Sequence, residues 1–145
     1  MSEDFSNIRD DETLYRRIPV SQNWCDGENV DWHAFRPTKK DETGLSLART
    51  ELKSREEAAR GPSRDGYYLA EVRVQTLKDL GFSVSYRPDV IDPVTKQKIY
   101  DPSHVEIPEL RADVRRHTDI TDKLEQLVSN GILNVYGPYR SQDPQ

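Results

Sequence analysis

Cysteine is almost missing from this chain. Among 145 residues there is one, Cys25, so no internal disulfide can form. With three histidines beside that single thiol, the short-spaced Cys and His pairs of a closed tetrahedral zinc site cannot be assembled, and no metal is expected. No apolar run approaches the roughly 20 residues of a membrane span, and no basic start leads into an apolar segment and a small-residue cleavage site. The expectation is a soluble protein of the reducing cytoplasm with no membrane partner. An excess of positive charge is missing too. Twenty-one Lys and Arg are interspersed among 26 Asp and Glu, giving a net charge of -5. A phosphate-backbone binder needs a basic face, so nucleic acid is not an expected partner, and a small nucleic-acid-associated protein ranks last among the functions considered. The Gly-x-x-x-x-Gly-Lys-Ser/Thr loop, Gly-x-Gly-x-x-Gly and the Gly-x-Ser-x-Gly elbow are all absent, which removes the signatures of nucleotide binding and serine hydrolysis.

What is present is polar: 34% hydrophobic and 32% charged residues, with a mean hydropathy of -0.89. A chain of this length makes one domain with a lean core. Residues 1–12 read as a disordered acidic arm, 13–139 as a single globular domain and 140–145 as a disordered tail. Leu14-Tyr15-Arg16-Arg17-Ile18, stopped by Pro19, reads as an edge or opening strand whose alternation puts Arg16 on one face with Leu14 and Ile18. Val20 to Val30 is a loop holding Trp24 and Cys25, and Val30 to Phe35 reads as a short extended piece.

Further strands are expected at Gly44–Ala48, Tyr67–Val74 and Phe82–Tyr86, in a hairpin joining Val90-Ile91 to Lys98-Ile99-Tyr100 across the turn signal that begins at Asp92-Pro93, and at Ser103–Ile107 and Ile132–Tyr136. Ser54-Arg55-Glu56-Glu57 has the form of a capping box and predicts a helix over Arg55–Arg60. Gln75 to Leu80 reads as a short helix with Thr76 as its cap, and a longer helix is expected from about Ile120 to Asn130. Strands outnumber helices without alternating regularly with them. That pattern predicts an α+β fold, a mixed or mainly antiparallel sheet covered by a C-terminal helix.

Three site readings follow. His104 and Glu106 share a strand face, where His33 or His117 would complete a two-His, one-carboxylate set, but the favoured reading is a solvated or hydrogen-bonded pair flanking buried Val105 and Ile107. The basic group Arg111, Arg115, Arg116 and His117 is balanced by Asp113, Asp119, Asp122 and Glu125 and reads as a solvated face. The preferred reading is a binding or accessory module that engages another protein without a cofactor. Tyr15, Arg17, Trp24, Trp32, His33, Phe35, Arg36 and His104 supply the aromatic and arginine side chains typical of interface hot spots.

The runner-up rests on Arg16, Ser46 and Glu106, one on each of three predicted strands. An arginine, a strand serine and a strand glutamate in that order resemble the ADP-ribosyltransferase family. The resemblance implies NAD as cofactor, with Arg16 holding the dinucleotide phosphates and Glu106 stabilising an oxocarbenium-like transition state. Position 104 is His where that family carries the first residue of a paired Glu-x-Glu or Gln-x-Glu.

Overall fold

The structure, a computed structural model, describes residues 4–114 and 118–140. His117, Arg115 and Arg116 lie outside the described residues, as do 1–3 and 141–145.

Alternation in β1 (Thr13–Pro19) shows why the sheet has two unlike faces. Leu14 and Ile18 are fully buried, while Tyr15 and Arg17, pointing the other way, are half-buried. β1 pairs antiparallel with both β2 (Leu45–Arg49) and β3 (Tyr67–Arg73), so it is an inner strand and not an edge. Pro19 is tolerated because it closes the strand opposite Tyr67. The remaining strands are β4 (Ser85–Tyr86), β7 (His104–Ile107) and β8 (Ile132–Tyr139), giving the antiparallel order β4-β7-β2-β1-β3-β8. β5 (Asp89–Ile91) and β6 (Lys98–Tyr100) form the expected hairpin as a separate two-stranded sheet.

Residues opposite one another in register share a face. The first face carries Leu14, Ile18, Leu45, Leu47, Ala70, Val72, Val105 and Ile107, all in the main hydrophobic cluster. Helix α3 (Thr118–Asn130) contributes Leu124 and Leu127 to that cluster, and α2 (Val74–Asp79) contributes Leu77. The architecture is thus α+β: one antiparallel six-stranded sheet, a C-terminal helix and small helices in one domain. Among the described residues no helix is long and apolar enough to cross a membrane.

Local elements depart from the sequence reading where a polar group claims the main chain. Trp32–Phe35 is a turn of 3-10 helix and not extended, because the Asp31 carboxylate accepts from the His33 N–H and starts a helical turn. α1 (Arg55–Ala58) does begin on the Ser54 hydroxyl, which accepts from the Glu57 N–H at 3.2 Å. α2 starts at Val74, with no side-chain cap. Its first amides are met by main-chain oxygens of the N-terminal segment, Val74 N–H to Glu12 O at 2.9 Å and Gln75 N–H to Asp10 O at 3.0 Å. Phe82 stays out of β4 because it is buried in the core while its N–H bonds to Leu77 O.

Residues 4–12, read from sequence as an arm, lie against the domain through ion pairs of Arg9 with Glu51, Asp10 with Lys78 and Glu12 with Arg49, of which the last is buried. Arg49 Nε and Nη2 donate to the two oxygens of Glu12 at 2.8 and 3.0 Å, and both side chains are almost wholly buried. The same guanidinium donates to the carbonyls of Phe5 and Asn7.

Candidate functional site

The second face of the sheet is where polar chemistry collects. Tyr15 and Arg17 of β1, Ser46 and Ala48 of β2, and His104 and Glu106 of β7 share it, because Tyr15 pairs with Ala48, Ala48 with His104 and Ser46 with Glu106. The β5–β6 hairpin faces this floor across a cleft of about 330 Å³, within the size range of small-ligand sites. A second hollow shares Ser46, Ile91, Ile99, Tyr100 and His104 and extends the wall to Lys40, Lys98 and Glu106.

The hairpin is pinned at both ends by charge. At its turn, Asp92 accepts from the Val94 and Thr95 amides at 2.8 Å each, the local bond that sets such turns. Its other oxygen takes Arg60 Nη1 at 2.7 Å. The Thr95 amide and the Arg60 guanidinium hold the Asp92 carboxyl well below the usual carboxylate range. Behind β6, Lys53 pairs with Asp101, whose carboxyl is desolvated yet held low by Lys53 and Ser103.

The two arginines of β1 are positive charges with no carboxylate within 4.0 Å among the described residues. Arg16 sits where β1 and β2 separate beyond the Tyr15–Ala48 pair, donating from Nε to Ala34 O at 2.8 Å and from Nη1 to Ser46 O at 3.1 Å. Desolvation pushes its guanidinium down to about 10. Arg17 donates to Arg60 O and lies 4.5 Å over the Tyr67 ring, and burial lowers it too. Of the two, Arg17 lies on the floor of the cleft, and a largely buried cation whose hydrogen bond goes to a neutral carbonyl keeps most of its field and attracts an anion there.

Ser46 and His104 touch. Ser46 Oγ lies 3.0 Å from His104 Nε2, and His104 Nδ1 lies 2.7 Å from Arg87 O. Glu106 Oε2 stands 4.0 Å from the same Nε2, while its Oε1 accepts from Thr43 Oγ1 at 2.7 Å. Among the described residues no group of three His, Cys, Asp or Glu side chains is placed to hold a metal ion.

The sequence-selected residues therefore divide. Tyr15, Arg16, Arg17, Ser46 and His104 all line the cleft, and Glu106 the adjoining hollow. Arg16 of the resemblance reaches Ser46 through the Ser46 carbonyl, while Glu106 is engaged with Thr43. Trp24, Trp32, His33 and Arg36 assemble elsewhere. His33 stacks on Trp32 with centroids 3.9 Å apart and on Trp24 at 6.5 Å, and the Arg36 guanidinium lies 5.9 Å over Trp32. Phe35, in the same loop, is fully buried in the core. Cys25 is buried as well, and burial pushes its thiol up, away from the thiolate form a nucleophile needs.

Lys53, Arg60, Asp92 and Asp101 were not singled out from sequence. The Asp-Pro turn signal at Asp92-Pro93 marked the hairpin, but no local pattern says that Arg60, thirty-two residues earlier, closes on it. No protein-family model matches this chain, and no curated protein or solved structure matches it either.

Proposed function

We propose that this protein is a binding module that engages another protein through the β5–β6 hairpin. One observation carries the reading: of the five large hydrophobic side chains that stand exposed among the described residues, four belong to this hairpin. They are Ile91, Val94, Ile99 and Tyr100, the last with 63% of its surface open. Clustered exposed apolar side chains around an aromatic, rimmed by charges such as Asp89 and Lys98, are the pattern of an interaction site. Both strands also keep an outer edge free, since each pairs only with the other, and a partner strand has main-chain bonds to gain there.

The test uses the intact chain carrying a photo-crosslinking phenylalanine analogue at position 100, expressed in its own cells, with crosslinked species identified by mass spectrometry. The expected result is one protein captured at stoichiometric yield and lost when Ile99→Glu is added, with the thermal transition unchanged. Crosslinks that are diffuse, or that survive Ile99→Glu, overturn the reading.

A further inference from the structure

The floor of the cleft carries a second arrangement, built on strands other than those of the hairpin. Ser46 and His104 are diagonal neighbours across β2 and β7, since Ser46 pairs with Glu106 and Ala48 with His104. The hydrogen bonds of the imidazole fix its proton. Arg87 O, 2.7 Å from Nδ1, is a carbonyl and can only accept, so Nδ1 carries the hydrogen. In the neutral imidazole Nε2 is then the lone pair, and the Ser46 hydroxyl 3.0 Å away is placed to donate to it. The ring is also held from behind, because Arg87 N–H donates to His104 O at 3.1 Å, making the two residues exchange bonds. A hydroxyl donating to an imidazole whose other nitrogen is tied by an acceptor is the arrangement of an activated nucleophile and its general base.

Two charges complete it. Glu106, 13% exposed, lies 4.0 Å from Nε2, placing negative charge beside the ring that takes the proton. Arg17, on the same sheet face as Ser46 and lining the same cleft, places positive charge in it. Both Ser46 and His104 line the cleft of about 330 Å³, so a small molecule reaches them.

We propose that Ser46, with His104 as general base, is the nucleophile of an esterase site acting on a small carboxylic ester whose acyl group bears an anionic substituent, received by Arg17 on the same face of the sheet. Ser46 Oγ attacks the ester carbonyl carbon as its proton passes to His104 Nε2. The bond from that carbon to the alkoxy oxygen breaks, and His104 returns the proton to the departing alcohol, leaving an acyl-serine. Water then attacks the acyl carbon, His104 takes its proton and hands it to Ser46 Oγ, and the free acid leaves. The sum is ester plus water giving acid plus alcohol.

The test treats the intact protein with a fluorophosphonate and, separately, with p-nitrophenyl acetate and mono-p-nitrophenyl succinate. Expected are a single adduct mapped to Ser46, faster release of nitrophenol from the succinate than from the acetate, and labelling slowed about a hundredfold or more by His104→Gln. No adduct on Ser46, or labelling that His104→Gln leaves unchanged, overturns the proposal. Because a variant can fail to fold, nitrogen NMR of the wild-type His104 ring provides a second reading. A proton on Nδ1 is expected, and a proton on Nε2 overturns the assignment of base and nucleophile.

Discussion

The two faces of one sheet, built from the same strands in the same register, have become different materials. On the first, Leu14, Ile18, Leu45, Leu47, Val72, Val105 and Ile107 meet Phe35, Leu77, Leu124 and Leu127, and nearly every side chain is closed off from water. On the second, the apolar cluster has only Ala59, Tyr67 and Leu69 at its centre, and the rest of the face is given to Arg17, Ser46, His104, Glu106 and Glu71 under a hairpin held by ion pairs. The first face holds the fold together. The second spends its positions on charge and hydroxyl groups that contribute little burial, and it can do so because the helices and the Phe35 turn supply apolar surface to its opposite side.

If that division is right, the largest effect belongs to Phe35→Ala. It removes a fully buried ring from the first face and is expected to cost about 3–5 kcal/mol, read as a lower urea midpoint with an unchanged slope. A loss below about 1 kcal/mol would break the comparison, because the closed face would then not be what stabilises the chain.

Next is the buried ion pair at the border of the core, Glu12 with Arg49. Glu12→Gln leaves the Arg49 guanidinium buried without its counter-charge and is expected to cost roughly 3 kcal/mol. The pH dependence has a definite sign. Burial raises the Glu12 carboxyl, but the bonds from Arg49 and from the Arg9 amide outweigh it, and the folded-state value ends below the ordinary one. A carboxyl depressed on folding stabilises the protein above its unfolded value, about 4.3 for glutamate, and that contribution is lost as pH falls through the folded-state value. Wild type should therefore lose stability on acidification more steeply than Glu12→Gln, in urea titrations between neutral pH and pH 3. Parallel curves would remove Glu12 from the account.

The smallest effect on stability is expected on the second face. Lys53→Ala frees Asp101 and one end of the hairpin, at a cost under about 1 kcal/mol. Amide exchange over 89–100 should nevertheless quicken while exchange in β1 and β3 stays unchanged. Exchange that quickens everywhere would mean that the hairpin is part of the core's cooperative unit.

Much of this division could be read from the residues. Alternation at Leu14, Arg16 and Ile18 gave the faces of β1, the Ser54 cap gave the start of α1, and turn residues at Asp92-Pro93 gave the hairpin. The position of β1 in the sheet could not be read that way, since a strand ended by proline looks like an edge until its partners on both sides are known. Aromatic residues were the least legible. Trp24, Trp32, His33 and Phe35 lie within twelve positions, yet three stack on one another in the loop and one fills the core, because the 3-10 turn capped by Asp31 rotates them to different sides.

Composition, spacing and turn chemistry thus point to a single α+β domain with a mixed or mainly antiparallel sheet and a covering C-terminal helix, since burial periodicity and caps act over a few residues. The wholly antiparallel order of the six strands is set by the packed structure. Tertiary structure alone decides which polar groups meet. Ser46 reaches His104 across fifty-eight positions, Arg49 reaches Glu12 across thirty-seven, and Arg60 closes on Asp92. Such contacts depend on strand order and register, which are settled by packing the whole core and leave no mark in any local stretch of sequence.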